Sequence, residues 1–529
     1  MYSRFKLLDC TMRDGGYINN WKFGYETICS IIKKLVEAEV DYIEVGFLRN
    51  CIYDKDVTLF NNILELKSIL PDQCGNSRFT VMALHNLYDI TKLEDNDGTI
   101  DAIRVTFHNY DIDEGLSFVQ KAMDKGYKIF CNPINIMGYS DGELLQLIEK
   151  INFIHPYAFS IVDTFGSMMK NDLLRIYSLV EHNLEKSIKI GLHLHENLGL
   201  SYSLAQNFID MCATERDAVI DGSLLGMGRV PGNLNIELMM DYMNRYQAPQ
   251  YNPNPAYDAI NDYIEDFKSI EPWGYSTAYA LSAKYNLHRN YSEYLIGKGK
   301  LRAKDINLIL ASIEESKKAA YDKNYIEELY QRYQNVAYND TKNKSSLKTL
   351  LIEKEILVLA PGYSLNTHKC LIKEFIDSEG PCVISANFCD EEFGASLNFY
   401  TNLRRYDQYV QNNDGTSIMV TSNLAKVASP SKLIFDYYNL ACNESDFCDN
   451  CVIMLLRLLE SVGMRKITLA GFDGFSGTTP NYAYEKHFSE HKKTEIENRI
   501  IANHVNKLMS RLDLHFLTPS RYITNGSIK

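Results

Sequence analysis

The 529-residue chain has no hydrophobic run long enough to cross a bilayer. Its heaviest apolar stretch, Val452 to Leu456, is broken by Arg457, far short of the ~20 residues a membrane span requires. It has no low-complexity tract, and its 45% apolar and 23% charged residues exclude wholesale disorder. It has no surplus of positive charge: 55 Lys and Arg stand against 68 Asp and Glu, a formal net charge of −13. That balance argues against non-specific binding of nucleic acid or of an anionic membrane, and leaves room only for a local basic site. Met1 to Lys6 lead into a short apolar strand with no signal-peptide core, so a cytoplasmic protein is expected, with its 12 cysteines as reduced thiols. Cys442, Cys448 and Cys451 include a Cys-x-x-Cys pair, but no second pair stands nearby, and buried thiols at a helix start are a simpler reading than structural zinc.

What is present is a regular alternation of short apolar, β-branched runs with amphipathic stretches. Phe5 to Cys10, Asp41 to Phe47, Phe79 to Leu84, Ala102 to Phe107, Tyr127 to Cys131, Ala158 to Val162, Ile188 to His193 and Ala218 to Asp221 read as eight strands. Between them lie helical patterns, such as Tyr25 to Glu39, where Ile28, Ile31, Ile32, Leu35 and Val36 share one stripe. Eight β-α units in about 250 residues is the arithmetic of a closed (β/α)8 TIM barrel. A doubly wound open sheet fits less well, because no glycine-rich dinucleotide fingerprint follows the first strand. The length allows about three domains. They are expected as a barrel over 1–250, a tyrosine-rich helical extension over 251–346 and a Rossmann-like α/β domain over 347–529. The proline-bearing stretch Pro249 to Pro255 reads as a linker off the barrel, and polar Asn339 to Ser346 as the next boundary.

Two segments of the first domain carry chemistry. Arg13-Asp14-Gly15-Gly16-Tyr17 follows the first strand, where the catalytic rim of a barrel lies, and the glycines allow a tight turn that aims the charged pair across the mouth. His193-Leu194-His195 ends the seventh strand, and residues two apart on a strand face one side. One carboxylate and two imidazoles suit a divalent metal: Mn2+ first, with Mg2+, Co2+ or Zn2+ as alternatives.

At these residues the sequence resembles the DRE-TIM metallolyase superfamily (HMGL-like), which includes 4-hydroxy-2-oxovalerate aldolase, hydroxymethylglutaryl-CoA lyase and the isopropylmalate and homocitrate synthases. Thr11-Met12-Arg13-Asp14-Gly15, His193-x-His195 and Gly226-Met227-Gly228-Arg229-Val230-Pro231-Gly232-Asn233 match in order, and Asp221-Gly222-Ser223 is closest to the pyruvate-dependent aldolase branch. The resemblance implies Asp14, His193 and His195 as metal ligands, Arg13 as the stabiliser of an enolate, and Asn233 as a further ligand or substrate contact. It implies a carbon-carbon lyase acting on a small anionic 2-oxo acid and an aldehyde. One position departs from the pattern. The aldolases carry a histidine, taken as the general base, where Tyr17 stands, and the Claisen synthases carry a glutamate where Gly16 stands. With an unperturbed pKa near ~10, tyrosine is a poorer base but a serviceable proton relay. His85 and His108, at the ends of the third and fourth strands, are alternative bases or substrate contacts; Glu44 is expected to hold a neighbouring arginine. Tyr275 or Tyr279 is expected to fold back from the helical extension onto the site. A homodimer is expected by analogy with barrel aldolases that pair through such extensions.

In the last domain, Ile356 to Leu365 reads as a strand, a Pro-Gly turn and a helix start, a place where backbone N–H groups bind phosphate. Ser385-Ala386-Asn387-Phe388, Leu469 to Gly474 and His487 to Glu495 recur in the order seen in bacterial sialyltransferases and related domains of surface-glycan loci. That resemblance implies a cytidine nucleotide-sugar site at Gly362, Ser364 and Asn387 with His491 as base, and a role in surface-polysaccharide sugar synthesis. Ala360-Pro361 departs from the Gly-Asn usual there, which puts donor binding in doubt. Three functions are thereby expected in competition: a metal-dependent aldolase using a pyruvate enolate, a Claisen-type acyl-CoA condensing synthase, and a glycosyltransferase acting through the last domain.

Overall fold

The computed structural model describes residues 4–212, 216–246, 249–390, 392–409, 417–427, 433–441, 449–484 and 494–523. Cys442, Cys448 and His491 lie outside the described residues. The chain divides into two compact units, Met1–Glu293 with Ile313–Tyr321, and Tyr294–Ser312 with Asp322–Lys529. The stretch expected as one helical extension is therefore shared between them.

In the first unit eight parallel strands close into a barrel: Phe5–Asp9, Tyr42–Leu48, Arg78–Leu84, Ala102–Phe107, Lys128–Pro133, Ala158–Asp163, Lys189–Leu194 and Ala218–Gly222, the first pairing with both the second and the eighth. Strands covered on both faces must be apolar almost throughout, and all six residues of Ala102–Phe107 are buried. The helix Tyr25–Glu37 shows how the outer layer is held. Ile28, Ile31, Ile32 and Leu35 recur at helical spacing and are fully buried, each contributing roughly 1.5–3 kcal/mol. The helix Asp141–Ile154 starts at a reciprocal cap between Ser140 and Glu143. After the second and third strands the connections carry short 3-10 turns, Leu64–Ser68 and Ile90–Lys92.

The stretch expected as a linker packs onto the barrel instead. Tyr251 is buried and donates to Asp41 Oδ2 at 2.6 Å, and the helix Asn254–Ala259 buries Ala256 and Ala259 in the barrel core. Its prolines begin a helix rather than end a domain, since proline is tolerated in a helix's first turn.

The second unit is an open, all-parallel seven-stranded sheet. Its spatial order is Leu433–Phe435, Ser417–Thr421, Leu397–Tyr400, Cys382–Ala386, Ile356–Leu359, Lys466–Ala470 and Asp513–Phe516. Apolar clusters lie on both faces, the Rossmann-like layout. The polar stretch Asn339 to Ser346 opens the helix Thr341–Leu351, whose Leu347 and Leu351 are buried in this unit's core.

Candidate metal centre at the barrel mouth

Arg13 and Asp14 sit in a single helical turn, Thr11–Asp14, that leaves the end of the first strand. Thr11 fixes the turn by donating its hydroxyl to Asp9 Oδ2 at 2.8 Å, and Thr58 ties it down by donating to the Met12 carbonyl at 2.7 Å. Asp14, His193 and His195 each offer a ligand atom, and these atoms lie within 4.8 Å of one another.

The imidazoles are held from behind. His193 Nδ1 lies 3.0 Å from Asp221 Oδ2, and His195 Nδ1 donates to the Asp163 carbonyl at 2.9 Å, so both rings keep Nε2 free for the front. His195 Nε2 approaches Asp14 Oδ2 to 3.7 Å, beyond hydrogen-bond reach. Asp14 Oδ2 and Asn233 Oδ1 are both buried without a hydrogen-bond partner. Buried carboxylate oxygens are rarely left so, and a hard cation beside two imidazole nitrogens satisfies them. The residues present therefore fit a divalent metal: Asp14, His193 and His195 would hold it, with Asn233 adjacent.

The charges are set by a buried chain of ion pairs. Arg13 Nη1 donates to Asp14 Oδ1 at 2.5 Å and its Nε to Glu44 Oε2 at 2.7 Å; Arg104 Nη1 donates to the same Glu44 oxygen at 3.0 Å and its Nη2 reaches Asp221 Oδ2. Burial works against the Asp14 charge, but Arg13 and the two histidines outweigh it and hold the carboxyl well below its ordinary value. Burial also lowers the His193 pKa against the pull of Asp221, which keeps the ring neutral and able to act as a ligand. Arg13 stays charged, because Glu44 and Asp14 outweigh the cost of its burial.

The loop Gly226 to Asn233 closes against this cluster. A Cβ at Gly228 would stand 2.3 Å from Asn233 Nδ2 and 2.8 Å from Asp14 Oδ2, so only glycine lets the backbone lie there. Together these elements enclose a cavity of ≈ 160 Å³, lined among others by Arg13, Asp14, Tyr17, His108, Asn132, His193, His195, Arg229 and His288.

Tyr17 lines this cavity, half-exposed, packed edge-on against Trp21. His108 lines it too. His85 does not: it pairs with Asp111 Oδ2 at 3.0 Å and faces a separate hollow with Tyr88, Asp89 and Asp113. Tyr275 is 64% exposed and off the cavity, and Tyr279 is turned away to donate to Glu293 at 3.0 Å. The helical segment does reach the mouth, but through His288. Sequence reasoning passed over Arg104, Asn132 and Asp111. Arg104 had a readable signal, an arginine inside the otherwise apolar strand Ala102–Phe107.

In the second unit a cavity of ≈ 250 Å³ opens at the carboxyl ends of the strands, lined among others by Gly362, Asn387, Lys298, Lys300 and Arg405. Ser364 lies off it, donating its backbone N–H and its hydroxyl to Asp473. Asn387 spends its side chain on Thr401, accepting from its backbone N–H at 3.0 Å and donating to its hydroxyl at 3.2 Å.

A closed parallel barrel with a buried Asp-His-His cluster at its mouth defines a scaffold able to hold a divalent metal. Comparison with known proteins agrees with it: residues 108–262 match the family described as HMGL-like. A 4-hydroxy-2-oxovalerate aldolase of Bacillus cereus is 24% identical over 248 residues, 45% of this chain and 70% of the aldolase. An oxaloacetate decarboxylase of Mycobacterium tuberculosis is 22% identical over 248 residues, again 45% of this chain and 70% of its own. Among solved structures, the N-terminal domain of a proposed aldolase from Bacteroides vulgatus is 25% identical, with a TM-score of 0.47 over 55% of this chain and 96% of that one. The family match and the sequence relatives support the resemblance of the barrel to the DRE-TIM superfamily.

Proposed function

We propose that the barrel is a divalent-metal-dependent carbon-carbon lyase of the aldolase type, making or breaking the bond next to the keto group of a small 2-oxo acid. The observation that carries this reading is Asp14 Oδ2, buried and unpartnered between two imidazoles whose Nδ1 atoms are already engaged. A metal bound there supplies Lewis acidity toward the keto oxygen. The chain's own residues supply the rest. Arg13 is locked by Glu44 and Asp14 and lines the cavity, so its fixed charge meets negative charge developing on the substrate without any reorganisation at the moment of reaction. Asn132 Oδ1, buried and unpartnered on the same cavity, accepts a hydrogen bond from a hydroxyl formed at the bond-making carbon. Tyr17 and His108 both face the cavity. His108 is backed by Asp111, whose Oδ1 accepts from the His108 backbone N–H at 2.5 Å and whose Oδ2 lies 3.4 Å from Nδ1, the arrangement of an oriented proton carrier. The small cavity suits a small acid and aldehyde better than an acyl-CoA.

Exchange of the pyruvate methyl protons in D2O with added Mn2+ tests this reading. Wild type is expected to exchange them, and Asp14→Ala to lose about 10³-fold or more of that rate. Equal and slow exchange in both proteins sinks the enolate chemistry.

For the second unit we propose a nucleotide-binding role, with surface-sugar synthesis as its setting. The support is its cavity at the point where strand order reverses beside Ile356–Leu359. Calorimetry of the full chain with cytidine monophosphate tests it, and no heat of binding removes it.

A further inference from the structure

Arg229 is the one cation on the barrel cavity whose charge the described residues do not answer. It follows Gly228, whose backbone lies against Asp14, and it lines the same cavity. Among the described residues no carboxylate pairs with it. Its neighbours hold it without neutralising it: Nη2 lies 2.8 Å from His288 Nε2, and the guanidinium sits 5.8 Å from the centroid of the Tyr17 ring. Burial, with Arg229 and Arg289 as neighbours, pushes His288 down to about 3, so this imidazole is neutral and accepts from Arg229 rather than competing with it. Arg289 stands beside Arg229 but is answered, donating to the Val230 carbonyl at 2.7 Å and pairing with Glu293 at 3.6 Å.

The buried chain of ion pairs runs without Arg229: Asp14 and Glu44 meet Arg13, and Glu44 and Asp221 meet Arg104. Arg229 stands outside that chain, half-buried, presenting a planar fork matched to a carboxylate.

We infer that Arg229, positioned by His288 and Tyr17, is an anion subsite for a second carboxylate, so that the substrates of this barrel carry an acidic group on the part of the molecule remote from the reacting keto acid. The inference rests on the lyase reading and names the substrate class of that site.

The test is calorimetric binding of two keto acids of equal carbon count to the full-length, Mn2+-loaded protein: 2-oxoglutarate, which ends in a carboxylate, and 2-oxopentanoate, which ends in a methyl group. Wild type is expected to bind the dicarboxylate about tenfold or more tightly than its neutral-tailed partner. Arg229→Gln brings the ratio to about one, and Arg229→Lys restores part of it. Equal binding of the two acids by wild type overturns the subsite. So does an Arg229→Gln variant that weakens both acids by the same factor, because Arg229 would then serve the shared keto-acid head. The methyl-exchange assay separates this from the parent reading. Discrimination without exchange sinks the enolate chemistry alone, and exchange without discrimination sinks the subsite alone.

Discussion

Each unit buries a cluster of charge, and the two clusters are finished differently. In the second unit Asp449 accepts from Lys300 Nζ at 2.6 Å on one oxygen, and from the hydroxyls of Tyr330 at 2.9 Å and Tyr437 at 3.2 Å on the other. Both oxygens are answered, and the cluster closes on itself. In the barrel the chain of pairs running from Asp221 through Arg104, Glu44 and Arg13 ends at Asp14 Oδ2, buried with nothing to accept from, beside an equally unpartnered Asn233 Oδ1. Desolvating charge is costly, and a cluster that closes is explained by the fold it holds together. One that stops short on an oxygen facing a cavity is explained by what binds there. The same contrast separates Ser364 and Asn387, which are spent on Asp473 and Thr401, from His193 and His195, which are fixed at one nitrogen and open at the other.

The largest way to break this comparison is Glu44→Gln. Glu44 is fully buried and serves both Arg13 and Arg104, so removing its charge leaves two buried guanidiniums with one carboxylate each, Asp14 and Asp221. The expected loss is about 3–5 kcal/mol in denaturant unfolding of the barrel. A loss well under ~1 kcal/mol would mean that the pairs do not form one network. Asp221→Asn is expected to act next in size and on a different quantity. It removes the partner that fixes His193 Nδ1, and Mn2+ affinity measured by titration should fall about 10–100-fold. Unchanged affinity would reduce Asp221 to a partner of Arg104.

Much of the barrel was readable in advance because a parallel strand buried on both faces leaves a short apolar run, and here eight such runs recur with helical patterns between them. Ala102 to Phe107 was bounded to the residue, and the other barrel strands to within two at either end. The grouping of Asp14 with His193 and His195 was open in a similar way, since a strand projects residues two apart to one side whatever surrounds them. What could not be read was which groups pair. Asp221 was singled out for its motif and not as the partner of His193 on another strand, and Asp111, three residues from His108, sits in no pattern that announces their contact. The helical segment failed for a related reason. A tyrosine from it was expected at the site, and the structure brings His288, because Tyr275 sits exposed ahead of the helix Thr277–Lys284 while the return of Ile313–Tyr321 packs His288 inward. The expected linker at Pro249 failed because prolines were read as breaks, when their neighbours Tyr251, Ala256 and Ala259 had an apolar face to bury.

The smallest expected effect uses pH to pull the two units apart. His288 is depressed to about 3 from an ordinary 6.5, so the unfolded chain binds a proton that the folded barrel refuses, and stability falls as pH drops below about 6.5. Between pH 6 and pH 5 that linkage amounts to about 1 kcal/mol. Asp449 is held below its ordinary carboxylate value, so its contribution stays intact in this window and is lost only at more acid pH. Asp9 and Asp163, pushed up by burial to about 7 and about 6, act in the opposite sense to His288, gaining stability as pH falls. The discriminating quantity is therefore the difference between wild type and His288→Gln, which keeps an acceptor for Arg229 and removes the titration. Calorimetric scans at the two pH values should show the wild-type barrel transition losing about 1 kcal/mol more than the variant, with the second unit's transition alike in both. If the two proteins respond identically, His288 is protonated in the folded barrel, and the uncompensated charge assigned to Arg229 loses its neutral support.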